Sequence, residues 1–252
     1  MKVTLFIPCL VDRFLPSIGA ASVRLLEMAG VSVRFDGRQT CCGQPAFNAG
    51  HPDLAASFAR RMLKVLSGAG VVVAPSGSCV AMVREFYGAM DLAPADLKRW
   101  RGLKDRVFEL SEFLHCEGLI PGIEAKLEAR AAVHHSCHHL RHTTASGALA
   151  ELLGRVKGLQ LVDHEQASRC CGFGGVFSTK LPELSIAMAR DRLQSALAAK
   201  PDYIALADAG CILQLRGVAA GSGAGLEAGF PPIVHYAQLV TGIGLEGGSN
   251  AP

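Results

Sequence analysis

The sequence lacks a long apolar run, although half of its 252 residues are hydrophobic. A membrane helix needs roughly 18 or more consecutive apolar residues, and the Ala, Val and Leu runs here are all shorter. The first ten residues carry one basic side chain and a short apolar stretch that stops at Pro8-Cys9, unlike a secretory signal. We therefore expect no membrane span and a cytoplasmic location.

An excess of charge of either sign is also missing. Lys and Arg number 25 against 22 Asp and Glu, which gives a net charge of +3 at pH 7. These charges are spread along the chain, whereas nucleic-acid-binding proteins concentrate basic residues on one face or in one segment. The composition therefore indicates no nucleic acid as a partner.

Cysteine, in contrast, is abundant, and its usage argues against disulfides. Structural disulfides are rare in a reducing compartment, and an odd number fits a closed disulfide framework poorly. The C-x2-C spacing of zinc knuckles does not occur. Metal binding, catalysis or burial as small apolar side chains therefore remain as explanations. The nine cysteines are Cys9, Cys41, Cys42, Cys79, Cys116, Cys137, Cys170, Cys171 and Cys211.

Eight of these cysteines form a duplicated pattern. The spacing is C-x31-CC-x36-C from Cys9 to Cys79 and C-x32-CC-x39-C from Cys137 to Cys211. Each vicinal pair is followed by glycine, at Gly43 and at Gly172. The ninth, Cys116, has no counterpart, and we expect it to be a small, partly buried residue. Two vicinal pairs with equivalent flanks indicate an internal repeat.

The predicted secondary structure repeats in step with the cysteines. Continuous apolar strands are predicted at residues 3–7, 31–35, 71–74, 131–135, 159–163 and 203–207, with helices between them. This alternation indicates an α/β fold of two tandem repeated half-domains, each a mainly parallel sheet flanked by helices. We place the boundary near residue 125, giving domains 1–125 and 126–252. Residues 91–130 are read as a charged connector, with helices predicted at 107–115 and 142–153.

Every repeat cysteine follows the carboxyl end of a predicted strand, the edge where open α/β sheets bind ligands. Three strands per half would therefore bring four thiols to one crevice. The glycines after each pair permit turns with positive φ that aim backbone N–H groups at a negative centre. The candidate ligands are Cys9, Cys41, Cys42 and Cys79 in the first half and Cys137, Cys170, Cys171 and Cys211 in the second.

The cysteines alone do not identify the metal that they bind. Thiolates select zinc, copper(I) or iron–sulfur clusters, and adjacent cysteines are awkward ligands for one tetrahedral ion because their side chains diverge. A polynuclear cluster has several metal sites and can use both. The pattern favours iron–sulfur clusters, with zinc, a redox dithiol or inert buried cysteines as alternatives. The histidines around Cys137, from His134 to His142, are expected to be solvated, with His138 the best candidate for a role beside the centre.

Six segments resemble one known family. They are 8–12 (PCLVD), 41–48 (CCGQPAFN), 75–79 (PSGSC), 135–138 (HSCH), 170–175 (CCGFGG) and 207–211 (ADAGC). These segments are similar to the cysteine-rich CCG-domain proteins, which include the B subunit of heterodisulfide reductase and the iron–sulfur subunit of glycolate oxidase. The chain is identified more closely as a member of the lactate utilization protein A family. The resemblance implies an iron–sulfur electron-transfer subunit that acts with companion subunits to oxidise L-lactate to pyruvate.

One departure from the wider family concerns the end of each half. The CCG pattern closes with C-x2-C, whereas Met82 and Gln214 occupy the last positions here. Each half thus offers four thiols, so we expect a four-ligand [4Fe–4S] cluster in each half instead of the noncubane clusters of the reductase. The alternative is that one half binds a cluster and the other is only structural. Alternative functions are a glycolate oxidase subunit, a heterodisulfide-reductase-like thiol/disulfide catalyst, and a zinc-stabilised structural module.

Overall fold

The computed structural model describes residues 1–143, 147–221 and 230–245, which form two parallel sheets of four strands. In spatial order, the first sheet contains β2 (Ser32–Phe35), β1 (Lys2–Leu5), β3 (Val71–Ala74) and β4 (Val107–Glu109). The second contains β6 (Val156–Val162), β5 (Ala125–His134), β7 (Tyr203–Leu206) and β8 (Ile233–His235). The two orders are equivalent, and the predicted α/β fold of two repeated parallel sheets is confirmed.

Helices connect the strands in both halves. Those of the first half are α1 (Cys9–Phe14), α2 (Pro16–Met28), α3 (Gln44–Asn48), α4 (Pro52–Leu66), α5 (Gly77–Arg84), α6 (Pro94–Leu103) and α7 (Leu110–Cys116). Those of the second half are α8 (Cys137–His142), α9 (Ala148–Gly154), α10 (Val176–Lys180), α11 (Pro182–Ala198), α12 (Ala209–Ala220) and α13 (Tyr236–Thr241). In the described part of the chain, no helix has both the length and the hydropathy needed to cross a bilayer.

Two sequence-based predictions of secondary structure are wrong. The segment predicted as a helix at 107–115 begins with strand β4, so the connector supplies an edge strand to the first sheet. The helix predicted at 142–153 starts too early, because α8 ends at His142 and the following described helix, α9, begins at Ala148; residues 144–146 lie outside the described residues. Helix α8 begins at Cys137 because the Ser136 side chain caps it, accepting a hydrogen bond from the His139 backbone N–H.

The halves share a continuous apolar core. One cluster combines residues of β1 and α2 with residues of β5, α9 and α13, including Leu25, Phe113 and Tyr236. A second cluster lies on the other face of the first sheet, under α4 and α5. A third lies on the other face of the second sheet, under α11 and α12, and includes Val11 and Ile18 of the first half. Because side chains of both halves form one core, the two sheets are held in a fixed relation.

A buried carboxylate also joins the halves. Glu109, at the end of β4, accepts hydrogen bonds from the Tyr236 hydroxyl at 2.6 Å and from the Ser111 backbone N–H at 2.8 Å, and His139 Nε2 lies 3.6 Å away. Burial raises the pKa of Glu109, but the hydrogen bond and charge of His139, together with Ser111 and Tyr236, outweigh it and lower the pKa to about 2. The carboxylate is therefore ionised inside the protein, and its partners come from both halves.

Candidate metal centre

All eight repeat cysteines line one cavity of about 210 Å³. It lies where the carboxyl ends of β1 and β3 face those of β5 and β7, so the two quartets share one space between the sheets. The described structure therefore brings together every cysteine that the repeat singled out. The residues are Cys9, Cys41, Cys42, Cys79, Cys137, Cys170, Cys171 and Cys211.

Half of these cysteines are positioned by helix N-termini that follow strands. Cys9 and Cys137 are the first residues of α1 and α8, and Cys79 and Cys211 are the third residues of α5 and α12. Helix N-termini carry partial positive charge and unpaired N–H groups, which stabilise thiolates nearby. In each half, two such strand-to-helix turns thus supply one thiol each to the cavity.

The vicinal pairs sit in loops that fold back onto these helices. Cys42 Sγ lies 3.4 Å from Cys79 Sγ, and Cys171 Sγ lies 3.0 Å from Cys211 Sγ. The other cysteine of each pair accepts a hydrogen bond from the backbone N–H of the following glycine, at 3.4 Å in both halves. The second cysteine of each pair therefore lies beside the thiol of α5 or α12. The first cysteine is stabilised by the N–H of the glycine turn.

The glycine after the second pair is required by its surroundings. Gly172 has φ +84°, and a Cβ there would lie 2.5 Å from the carbonyl oxygen of Ser185. We expect Gly172→Ala to destabilise the protein by about 2 kcal/mol, because the backbone is strained and the turn must move. Urea unfolding of anaerobic protein measures the change, and iron analysis should show a loss at the second site.

Gly217→Ala is the matched control for that change. Gly217 is exposed within α12, and nothing lies within 4 Å of the Cβ that alanine would add. Alanine favours a helix over glycine by up to about 1 kcal/mol, so this variant should be as stable as the wild type or more so. Equal stability and iron content for both variants would contradict the assigned role of the turn.

Cys9 competes with Cys41 for a negative charge through their hydrogen bond, and Cys137 competes with Cys170 in the same way. Hydrogen bonds from Cys42 and Cys9 lower the pKa of Cys41 to about 3, and those from Cys137 and Cys171 lower the pKa of Cys170 to about 2. Hydrogen bonding to the ionised neighbour, together with burial, raises the pKa of Cys9, the donor to Cys41. A cationic centre relieves this competition because metal binding replaces the protons of all the coordinating thiols.

The sulfurs of each quartet are unevenly spaced, with one pair in each half at 3.4 or 3.0 Å. A tetrahedral zinc site with bonds of about 2.3 Å holds its sulfurs about 3.8 Å apart. Among the described residues, the compact group with ligand atoms within 4.8 Å of one another is His134, Cys171 and Cys211, and neither cysteine quartet is so compact. Each quartet is wider than the ligand set of one tetrahedral ion, and the eight thiols offer the sulfur ligands that a metal or iron–sulfur centre requires.

Polar side chains cross-link the two cysteine groups. Asp208, buried at the start of α12, accepts hydrogen bonds from the hydroxyls of Ser76 at 2.9 Å, Ser78 at 2.6 Å and Ser136 at 2.8 Å. Ser76 and Ser78 belong to the first half and Ser136 to the second. The carboxylate therefore fixes the strand-end loops of both halves around the shared cavity.

The structure corrects two expectations about neighbouring residues. The histidines were expected to be solvated, but His134 and His139 are buried, at 1% and 2% exposure, because they point into the core from β5 and α8. His138 does line the cavity, and its Nε2 lies 3.3 Å from Gln44 Nε2. Cys116 was expected to be partly buried, but it is exposed because α7 ends there at the surface.

Sequence reasoning missed Arg192, which is 2% exposed. In the described part of the chain, its three guanidinium nitrogens have no hydrogen-bond partner. Its charge interacts with the thiols of Cys171, Cys170 and Cys211. The helical spacing of α11 indicates its burial, because position 192 lies on the same helix face as the buried Ser185 and Ala189.

Comparisons with known proteins agree with this arrangement. A family model described as "CCG: Cysteine-rich domain" matches residues 3–84 and 131–216. A cysteine-rich domain with cysteines clustered in this way indicates that a metal or iron–sulfur centre binds here.

Two curated relatives match this chain over nearly their whole length. The chain is 38% identical to "Lactate utilization protein A" of Geobacillus kaustophilus, over 95% of this chain and 98% of the relative. It is 37% identical to the protein of the same name from Bacillus thuringiensis, over 86% and 91%. Among solved structures, a hypothetical protein from Helicobacter pylori matches with a TM-score of 0.67 and 10% identity, over 99% of this chain and 49% of that one. That match shows a shared fold.

Proposed function

Because the chain belongs to the cysteine-rich CCG-domain family, and within it to the lactate utilization protein A group, we propose that it is an iron–sulfur electron-transfer subunit for the oxidation of L-lactate to pyruvate. We place it in the cytoplasm with companion oxidoreductase subunits. The observation that carries the proposal is the meeting of two repeated cysteine quartets at one cavity.

The ligand assignment follows the repeat. In residues 1–125 the ligands are Cys9, Cys41, Cys42 and Cys79, and in residues 126–252 they are Cys137, Cys170, Cys171 and Cys211. We propose one [4Fe–4S] cluster in each half, which when bound supplies one-electron exchange at a potential set by ligation, hydrogen bonds and burial. Oxidation of lactate to pyruvate releases two electrons and two protons, so two one-electron centres match the electron count.

The protein's own groups shape the environment of these centres. The backbone N–H groups of Gly43 and Gly172 donate to sulfur, and burial of Cys42 and Cys171 keeps water from one side. Cys9 and Cys137 are only partly buried, so each half is open toward an approaching partner. We assign the chemistry on lactate to a companion subunit and electron acceptance to this chain.

Anaerobic purification tests the proposal. We expect a brown protein that, after reconstitution, contains iron for about two four-iron clusters per chain and little zinc. With the companion subunits present, L-lactate should bleach its visible absorption. A colourless chain that takes up zinc but no iron would contradict the proposal in favour of the structural zinc module, and reduction by glycolate instead of L-lactate would reassign the donor.

A second candidate is a thiol/disulfide redox catalyst, favoured by the fact that both cysteine groups open into one cavity. Such a catalyst would turn over a disulfide substrate as an isolated chain, without companion subunits. An electron-transfer subunit would not, so a disulfide reductase assay on the purified, iron-loaded protein separates the two functions.

A further inference from the structure

The two cysteine groups are equally buried but lie over different side chains. The exposed fractions of Cys42 and Cys171 are 2% and 3%, and those of Cys79 and Cys211 are both 8%. The glycine N–H to sulfur distances are also equal in the two halves. Solvent exposure and backbone hydrogen bonding therefore do not distinguish the centres, and a difference in potential must come from charge and side-chain donors.

The first difference lies at the end of the central strand. Phe6 precedes Cys9 by three residues, and His134 precedes Cys137 by three. The strand pairing also makes these positions equivalent. Leu5, just before Phe6, pairs with Val73 of β3, and Val133, just before His134, pairs with Ala205 of β7. Phe6 is fully buried and apolar, whereas His134 places a ring nitrogen within 4.8 Å of the sulfurs of Cys171 and Cys211.

The second difference lies on the helix beneath the vicinal pair. In the first half the carbonyl oxygen of Ala55 on α4 lies against Gly43, and in the second half that of Ser185 on α11 lies against Gly172. Ala55 and Ser185 are therefore equivalent positions. Seven residues further along the helix, the first half has Met62 and the second half has Arg192, both buried. An apolar side chain in one half is thus replaced by a buried positive charge in the other.

The position of these two residues indicates support of the centre rather than ligation. Neither His134 nor Arg192 lines the cavity. A ring nitrogen of His134 lies within 4.8 Å of the sulfurs of Cys171 and Cys211, and the charge of Arg192 acts on the same two thiols. A guanidinium beside a bare metal cation is repulsive, whereas beside an anionic thiolate-ligated cluster it is attractive. In the described structure, both ring nitrogens of His134 and all three guanidinium nitrogens of Arg192 have no hydrogen-bond partner, so they are free to act on the sulfurs.

We propose that Arg192 and His134 raise the reduction potential of the second centre above that of the first, so that an electron entering the chain comes to rest in the second half. The inference rests on the proposed function. Its step is the transfer of one electron, in which the first centre is oxidised and the second is reduced, with no bond made or broken. Asp208 lies between the halves, because its carboxylate accepts hydrogen bonds from serines of both.

Arg192→Met, which gives the second half the residue of the first, is the direct test. A redox titration followed by electron paramagnetic resonance measures the reduction potential of each centre. The signal of the second centre is identified as the one that Cys170→Ser protein lacks, and we expect its potential to be lowered in Arg192→Met. We expect at least a tenfold change in the one-electron equilibrium constant, equivalent to about 59 mV. The other signal should keep its potential. Arg190→Met is the control, because Arg190 lies on the same helix but lines a different groove.

His134→Phe provides an independent variant if the arginine replacement impairs folding. It should lower the same potential and leave the iron content unchanged. Iron-loaded variants with unaltered potentials would overturn the inference alone and leave the proposed function standing. Loss of iron from the second site in His134→Phe, or strong nitrogen hyperfine coupling in the wild type, would overturn it by making His134 a ligand. Wild-type protein without iron would overturn both.

Discussion

Replacing Cys170 by serine is expected to remove half of the iron that the chain binds. Cys170 belongs to the second quartet, and its sulfur is stabilised by Cys137, Cys171 and the Gly172 N–H. Loss of this thiolate leaves three ligands for the second cluster and does not touch the first quartet. Cys41→Ser should have the equivalent effect on the first half. Iron and acid-labile sulfide per chain, measured after anaerobic reconstitution, give the result directly.

The double variant Cys41→Ser/Cys170→Ser should contain almost no iron, since the two losses are independent. Cys116→Ser is the control, because Cys116 is exposed at the end of α7 and should bind nothing. If either single replacement abolished all the iron, the two quartets would form one centre. If neither changed the iron content, the ligand assignment would be wrong.

Glu109→Gln is expected to destabilise the fold by about 3 kcal/mol, the usual order for breaking a buried, hydrogen-bonded charge. Glu109 accepts hydrogen bonds from Tyr236 and Ser111 and faces His139. The amide nitrogen of glutamine would confront one of these donors and leave it unsatisfied. Urea unfolding under anaerobic conditions measures the loss, and Tyr236→Phe, which removes one donor, should cost about 1.5 kcal/mol.

The effect of Glu109 should depend on pH in a defined direction. Its pKa in the folded protein is lowered to about 2, below the value of about 4.3 for an unfolded glutamate. Its contribution is therefore complete above about pH 4.3 and is lost as the pH falls toward 2. Glu109 also raises the pKa of His139, so this part of the stability difference is complete only below the unfolded histidine value of about 6.5. The difference between wild type and Glu109→Gln should therefore be largest at about pH 5 and narrow as the pH falls below about 4.3. A difference that grew below about pH 4.3 would contradict an ionised Glu109.

The sequence was sufficient for the fold class and the cysteine positions because both repeat. Continuous apolar strands marked β1, β2, β3, β5, β6 and β7, and the vicinal pairs marked the loops between them. The edge strands β4 and β8 were not recognised, since each has three residues and merges with the helix that follows. Short edge strands gain their identity from pairing with a neighbour rather than from their own pattern.

The surroundings of the cysteines were harder to predict. A histidine or arginine usually lies at the surface, so His134 was expected to be solvated and Arg192 received no role. Their burial depends on the packing of α11 against the second sheet, which brings side chains 58 residues apart in sequence to the same thiols. The spacing of residues along a helix or strand can predict which residues lie on its buried face. The contacts of those residues depend on the helices and strands that pack against that face.

Anomalous diffraction at the iron edge from crystals of the anaerobic protein would locate the iron atoms. We expect two separate iron centres within the shared cavity, one bounded by Cys9, Cys41, Cys42 and Cys79 and the other by Cys137, Cys170, Cys171 and Cys211. A map without iron, or with one centre held by thiolates of both halves, would contradict this expectation.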